Sequence, residues 1–171
     1  MKQSQSGFTI VEILVIVATI GILVTIGLVS WGTLTTWSRN NARGTELTQW
    51  KSTFDLYKSR YAVYPTGTSA TGTYCLNAAQ SSCGVNGNYS QDTTLRNALQ
   101  HITSLPSNNS IDTIKVGSTN YLGPYVTYLS GGNVRLTGVF QGSGSGTCPK
   151  DTTYDSSSPS GVAYCTVTLT P

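Results

Sequence analysis

An uncharged apolar run lies near the start of the chain, directly after an acidic residue. Residues 13–29 carry no charge, and Glu12 lies at their N-terminal edge. At 1.5 Å per residue this run forms a helix of about 26 Å, close to the roughly 30 Å hydrocarbon core of a bilayer. A carboxylate that faces lipid costs about 2.5–3.5 kcal/mol on insertion scales. The pattern therefore predicts a membrane-spanning helix and makes Glu12 a candidate functional residue.

Helical periodicity continues past the apolar run. One apolar stripe recurs at intervals of three and four residues, which is typical of an amphipathic helix with one face on a core. The stripe consists of Leu47, Trp50, Phe54, Tyr57 and Tyr61. Four charged residues fall off the stripe, and we expect them to face solvent: Glu46, Lys51, Asp55 and Lys58. We predict one helix from Phe8 to Tyr61, which ends before Pro65 because proline cannot continue it.

The C-terminal part consists of turn-rich stretches and short β-like segments. We predict a loop to about Tyr89 and then a short helix with Asp92 as its N-cap. Gly131 and Gly132 are a two-residue hairpin signal. The predicted strands cover residues 111–116, 121–130, 133–141 and 162–169. A long N-terminal helix packed on a C-terminal antiparallel sheet is an α+β fold.

Length and charge limit the organisation and the partners of the chain. Its 171 residues suffice for one membrane-anchored element and one domain of ordinary size. The net charge is +3, but residues 62–171 hold four side chains of each sign. The C-terminal part is therefore neutral, and its Ser, Thr, Asn and Gly content suits an exposed surface. Nothing in this charge distribution favours strong binding of nucleic acid.

Four cysteines follow the apolar run as two local pairs, Cys75 with Cys83 and Cys148 with Cys165. An even number of cysteines in Ser/Thr/Gly-rich surroundings indicates disulfides formed in an oxidising compartment. Three pairings are possible, and we favour the local one. A zinc site is the alternative, but the chain has one histidine and no Cys-x-x-Cys spacing.

Residues with catalytic or cofactor-binding potential are sparse. His101 is the single histidine, and we expect it to face solvent or to form a structural hydrogen bond. The glycines at 142–146 lack the Gly-Lys-Ser/Thr that binds phosphate. Asp112, Asp151 and Asp155 could offer oxygens to calcium, but their spacing matches no calcium loop. We therefore expect no enzymatic activity, no metal and no cofactor.

The N-terminal residues resemble the processing signature of type IV pilins and their pseudopilin relatives. A short basic leader precedes Gly7-Phe8-Thr9, and Glu12 and the apolar helix follow. The resemblance is specific over residues 1 to about 30 and only architectural beyond residue 70. It implies a pilin-like fold with disulfide-tied loops. The implied parts are a leader (1–7), a transmembrane and filament-core helix (8–34), an amphipathic half-helix (35–64) and an extracellular globular domain (65–171).

The resemblance also implies roles for individual residues. A prepilin peptidase would cut between Gly7 and Phe8 and methylate the new α-amine of Phe8. Thr9 and Glu12 would serve assembly. The Glu12 carboxylate would pair with the Phe8 amine of a neighbouring subunit, so the cost of burying it is relieved only in the correct register.

The implied function is that of a structural subunit of a type IV pilus, used for adhesion, motility or DNA uptake. Its partners would be further copies of itself, the prepilin peptidase, the assembly platform with its ATPase, and the membrane before assembly. Surface or host ligands would meet the finished filament, and DNA binding would be weak. The chain would begin as a single-pass precursor in the cytoplasmic membrane and end in an extracellular filament.

Three alternatives remain at this level. The chain could be a pseudopilin or minor pilin of a type II secretion or competence system. It could also be a membrane-anchored extracytoplasmic binding module that does not polymerise. A secretory signal peptide is the plainer interpretation of the first 30 residues, but no small-x-small cleavage site follows the apolar run.

Overall fold

A computed structural model of the chain describes residues 9–69, 71–76, 81–106 and 113–171, with the side chains of 26–30 excepted. The predicted processing residues Gly7 and Phe8 lie outside the described residues. So do the first two residues of the predicted strand 111–116. The chain divides into two compact units, Met1–Ser38 and Arg39–Pro171.

Helix α1 spans Ile10–Tyr61. It begins directly after Thr9, and no proline interrupts it. At its C-terminal end Ala62 takes a left-handed φ of 61°, and its N–H donates to the Lys58 carbonyl at 2.7 Å. This geometry resembles the left-handed residue that commonly ends a helix.

Within the described residues, no helix is both long enough and apolar enough to qualify as a membrane span.

The described part of the second unit contains strands and one short helix after α1. In chain order they are β1 (Thr73–Cys75), β2 (Ser82–Val85), β3 (Tyr89–Ser90), α2 (Thr93–Gln100), β4 (Ile114–Val116), β5 (Thr119–Leu122), β6 (Tyr125–Tyr128), β7 (Val134–Gln141), β8 (Thr153–Tyr154) and β9 (Val162–Leu169). One sheet has the order β1-β6-β7-β9-β8 and the other has the order β3-β2-β5-β4. All strand neighbours in both sheets are antiparallel.

The hydrophobic core of the second unit contains residues of α1 and of the five-stranded sheet. Leu47, Trp50 and Phe54 are buried in one cluster with Leu136 and Phe140 of β7. The rest of the predicted stripe is less buried. Tyr57 packs against the cluster while partly exposed, whereas Tyr61 is 49% exposed and contacts the Tyr57 ring at a centroid distance of 4.6 Å.

Three sequence predictions are confirmed. The chain has the α+β class, with helices followed by antiparallel strands. Both local cysteine pairs are disulfides, with Cα–Cα distances of 5.6 Å for Cys75–Cys83 and 5.4 Å for Cys148–Cys165. The short helix is α2, and Asp92 caps it by accepting a hydrogen bond from the Leu95 N–H at 2.7 Å.

Three predictions about strands are wrong in detail. The loop predicted up to Tyr89 contains β1, β2 and the start of β3. The predicted strand 121–130 is divided into β5 and β6 at Gly123 and Pro124, because proline has no N–H to donate to a ladder. The β6–β7 hairpin has a longer turn than two residues: the last pair is Tyr128 with Val134, and the turn between them forms a 3₁₀ segment at Ser130–Gly132.

The solvent-facing prediction for Glu46 is also wrong. Glu46 retains only 2% of its surface and lies under the sheet with the apolar stripe. Its position follows from helical spacing, since Glu46 precedes Trp50 by four residues and therefore lies on the same face.

Candidate functional site

The start of α1 carries a reciprocal hydrogen-bond pair between Thr9 and Glu12. One Glu12 carboxylate oxygen accepts from the Thr9 N–H and from the Thr9 hydroxyl, both at 3.1 Å. The Glu12 N–H in turn donates to the Thr9 hydroxyl oxygen at 3.3 Å. This arrangement is a capping box, which satisfies N–H groups that the first helical turn leaves free. Both residues are exposed, so the pair is open to an incoming group.

The helix surface that follows is apolar on every side and exposed. Eleven large apolar side chains between Ile10 and Val24 are between 45% and 84% exposed. Residues 13–17 are all among them, and at 100° per residue five consecutive positions cover the whole circumference of a helix. A helix that is hydrophobic all round is normally buried. Exposed apolar surface of this extent is typical of an interaction site.

Polar side chains on the same helix segment are satisfied internally. The hydroxyls of Thr19 and Thr25 donate to the carbonyls of Ile16 and Ile22, each at 2.8 Å. A hydroxyl bonded to its own helix can enter an apolar environment without losing a hydrogen bond. Further along the unit, Trp31 and Trp37 are 72% and 65% exposed, so the exposed apolar surface includes two aromatic side chains.

The four predicted disulfide residues lie in the second unit. Cys75–Cys83 joins β1 of the five-stranded sheet to β2 of the four-stranded sheet. Cys148–Cys165 ties the segment before β8 to β9. They tie these segments to the sheets.

The structure describes two of the three aspartates considered for calcium. Asp155 accepts from the N–H and the hydroxyl of Ser157, at 2.9 and 2.7 Å, and these bonds hold the pKa of Asp155 below its usual value. Asp151 is exposed with a φ of 67°, and Asp112 lies outside the described residues. Among the residues with described positions, no cluster of three or more His, Cys, Asp or Glu could hold a metal ion.

An open pocket of about 400 Å³ lies where α1 ends. Val63 and Tyr64 line it on one side, the β6–β7 turn lines another, and Pro171 closes part of the rim. Its described lining carries no charged side chain, so it offers no acid–base pair.

Sequence reasoning missed a polar connection between α1 and β7. The Asn40 side chain donates to the Gln141 carbonyl at 2.8 Å and accepts from the Gln141 N–H at 3.0 Å. The Arg43 guanidinium donates to the same Asn40 oxygen at 3.1 Å. An asparagine that pairs with a strand backbone has no sequence signature, because its partner lies 101 residues away.

Sequence reasoning also missed the capping box, although its signal was present. Thr9-x-x-Glu12 directly before an apolar run matches the Ser/Thr-x-x-Glu pattern of a helix start. Glu12 therefore has a structural role within its own chain besides any role in assembly.

Comparisons with protein-family models, with curated proteins and with solved structures found no match for this chain.

Proposed function

We propose that the chain is the structural subunit of a helical surface filament of the type IV pilus kind. The observation that carries the proposal is the apolar surface between Ile10 and Val24, which is exposed on all sides of α1. Contiguous exposed apolar surface of this extent is a hallmark of interaction sites. Burying one Val, Leu or Ile side chain contributes about 1.5–3 kcal/mol, so covering even part of these eleven is a strong drive to associate.

Copies of the same helix are the proposed covering partner. Parallel helices packed side by side would bury the apolar surface of each other, and the cytoplasmic membrane would hold the precursor before assembly. Heterologous, head-to-tail contacts between identical chains form open helical polymers when the rotation does not close. A long helix with an apolar first part and a globular domain on its second part suits a filament core with an outer shell.

Glu12 is the proposed register device of this polymer. In the free chain its carboxylate is exposed and held by Thr9. In the packed core it would lose water, and a buried unpaired carboxylate is strongly destabilising. The α-amine of Phe8 on a neighbouring subunit, freed by cleavage after Gly7, is a cation that could pair with it. Such pairing would stabilise only one axial offset between neighbouring subunits.

The disulfide-tied domain would form the outer surface of the filament. Its two disulfides are compatible with an oxidising exterior. Its neutral, Ser- and Thr-rich surface suits a shell that contacts many surfaces weakly. Adhesion, motility and DNA uptake would be properties of the whole filament.

The first test is to determine the N-terminus of the mature protein from its native host. We expect the main band of sheared surface material to begin at a methylated Phe8 and to contain filaments by electron microscopy. A chain that begins at Met1, or after residue 30, would contradict the processing step. Cleavage at Phe8 without filaments that contain this chain would instead favour a pseudopilin or minor pilin.

The second test separates the two roles of Glu12. Glu12→Gln keeps the size of the side chain and its acceptor oxygen but removes the charge, whereas Thr9→Ala removes the capping hydroxyl and keeps the charge. If Glu12 sets the register, Glu12→Gln abolishes filaments and Thr9→Ala retains them. If Glu12 only caps the helix, Thr9→Ala loses about 1 kcal/mol at the helix end, Glu12→Gln loses little because glutamine also fits a capping box, and both variants retain filaments. Normal filaments from Glu12→Gln would refute the pairing role.

A further inference from the structure

Glu46 is a buried acid that the filament proposal does not use. It retains 2% of its surface, and neither carboxylate oxygen has a hydrogen-bond partner in the described part of the chain. The indole N–H of Trp50, one turn further along α1, is buried and makes no hydrogen bond of normal geometry either, although it lies near enough to the Glu46 carboxyl to lower its pKa. More than nine in ten buried polar groups are hydrogen-bonded, so an unpartnered carboxyl in a core requires an explanation.

The surroundings of Glu46 leave a small cavity and contain few groups that could stabilise an ionised carboxylate. A cavity of about 10 Å³ adjoins the carboxyl and is lined on the sheet side by Gly123, Pro124, Gly138 and Val139. None of these four residues can ionise. A volume of about 10–15 Å³ is the least that holds one water molecule.

One charged residue on α1 itself faces Glu46. Arg43 retains 6% of its surface and also lines the cavity. Its guanidinium is already engaged with the Asn40 side chain at 3.1 Å. Burial raises the pKa of Glu46 to about 7, and the opposing effects of Trp50 and Arg43 are smaller.

Side chains of α1 and β7 pack closely beside the cavity. A Cβ added to Gly138 would lie 3.0 Å from Leu47 and 2.7 Å from Phe140, so α1 and β7 approach closely beside the cavity. A shift of α1 relative to β7 would give the carboxyl access to water. Packed interfaces of this kind respond by discrete rearrangement and not by gradual deformation.

We propose that Glu46 is a proton-binding group that makes the α1–β7 contact sensitive to pH. In its neutral form the carboxyl fits the cavity, where one water molecule can bond to it. Ionisation places a carboxylate in the core, where the cost of losing water exceeds its attraction to Arg43, and loosens α1 from β7. The domain Arg39–Pro171 would thus be tightest in mildly acidic surroundings and looser in alkaline ones.

The sign of the effect follows from linkage. The folded domain binds the proton up to about pH 7, whereas an unfolded glutamate releases it near pH 4.5. The stabilisation is complete below pH 4.5 and is lost as the pH rises through 7. The full difference corresponds to a roughly 300-fold change in the unfolding equilibrium constant, of which about 70-fold falls between pH 5 and pH 9.

The test compares the pH dependence of unfolding in the full chain with that of Glu46→Gln. Trp31→Phe and Trp37→Phe in both proteins leave the buried Trp50 as the fluorescent reporter of the domain. We expect the unfolding constant of the parent to rise about 70-fold from pH 5 to pH 9 relative to Glu46→Gln. Asp55→Asn, a partly exposed acid on the same helix that pairs with Lys51, is the control and should follow the parent.

Two outcomes would overturn the proposal. One is a Glu46→Gln profile parallel to that of the parent. If Glu46→Gln does not fold, the proton count of the parent decides: unfolding near pH 5.8, measured by calorimetry in buffers of different ionisation enthalpy, should release about 0.9 proton. A release below about 0.2 proton would show that Glu46 does not titrate as proposed.

Discussion

Removal of the two disulfides separates two explanations of how they stabilise the domain. The paired variants are Cys75→Ala with Cys83→Ala, and Cys148→Ala with Cys165→Ala. If the bonds act by restricting the unfolded chain, the loss depends on loop length. The bonded residues are 8 and 17 positions apart, which gives about 2.6 and about 3.2 kcal/mol.

A native-state explanation predicts the reverse order. Cys75–Cys83 joins the two sheets. Cys148–Cys165 instead ties the segment before β8 to β9, and both of these strands belong to the same sheet. If the main contribution were to hold the sheets together, loss of Cys75–Cys83 would cost more. The order of the two losses is therefore more informative than either value.

Thermal and urea unfolding of the full chain in detergent, reported by Trp50, measures both losses. For a unit of roughly 130 residues, the entropic losses correspond to decreases in Tm of about 9 and 11 °C. An equal or larger decrease for the Cys75/Cys83 variant would refute the loop-entropy reasoning. An increase in the urea m-value of each variant would support that reasoning, because an unfolded chain without the crosslink is less compact and exposes more surface.

Substitutions at three further positions test the packing of the domain. Gly138→Ala should cost about 1–3 kcal/mol by urea unfolding, because the new Cβ would lie 2.7 Å from Phe140; a neutral result would mean that the ring can move aside. Asp92→Ala removes the N-cap of α2 and should cost about 1 kcal/mol, whereas Asp92→Asn should lose less. Asn40→Ala should speed hydrogen exchange of the Gln141 amide, which it leaves without an acceptor, and unchanged exchange would contradict this role.

The strands that could be predicted are those with a long alternating pattern. β9 has the predicted bounds, and β7 differs from its prediction by one residue. They pair over eight residues, from Val134 with Leu169 to Gln141 with Val162, so local preference and tertiary pairing agree. β1, β2 and β3 have two to four residues each in a Ser/Thr/Gly-rich segment. Pairing with other strands and a disulfide hold these strands in place. A local sequence pattern carries no information on either.

The error at Glu46 has a different cause. The interval rule places Leu47, Trp50 and Phe54 on one face, whereas the charge of Glu46 predicts a solvent-exposed position. Spacing alone would have placed it with Trp50, four residues away. The charge of Glu46 predicts exposure, whereas its helical position predicts burial. A buried polar residue is the more informative observation in a protein core. The capping box at Thr9 and Glu12 could have been read from the sequence by its spacing.

The relative strength of two interactions decides how Glu12 can serve both its own helix and a polymer. A capping box contributes about 1 kcal/mol, which is enough to hold the exposed carboxylate in the free chain. Covering the apolar surface between Ile10 and Val24 also covers Glu12, and desolvating a carboxylate costs several kcal/mol. The capping bonds from Thr9 cannot offset that cost. In the proposed filament a cation from a neighbour must therefore supply the difference, so subunits with the wrong offset are rejected by the same burial that drives association.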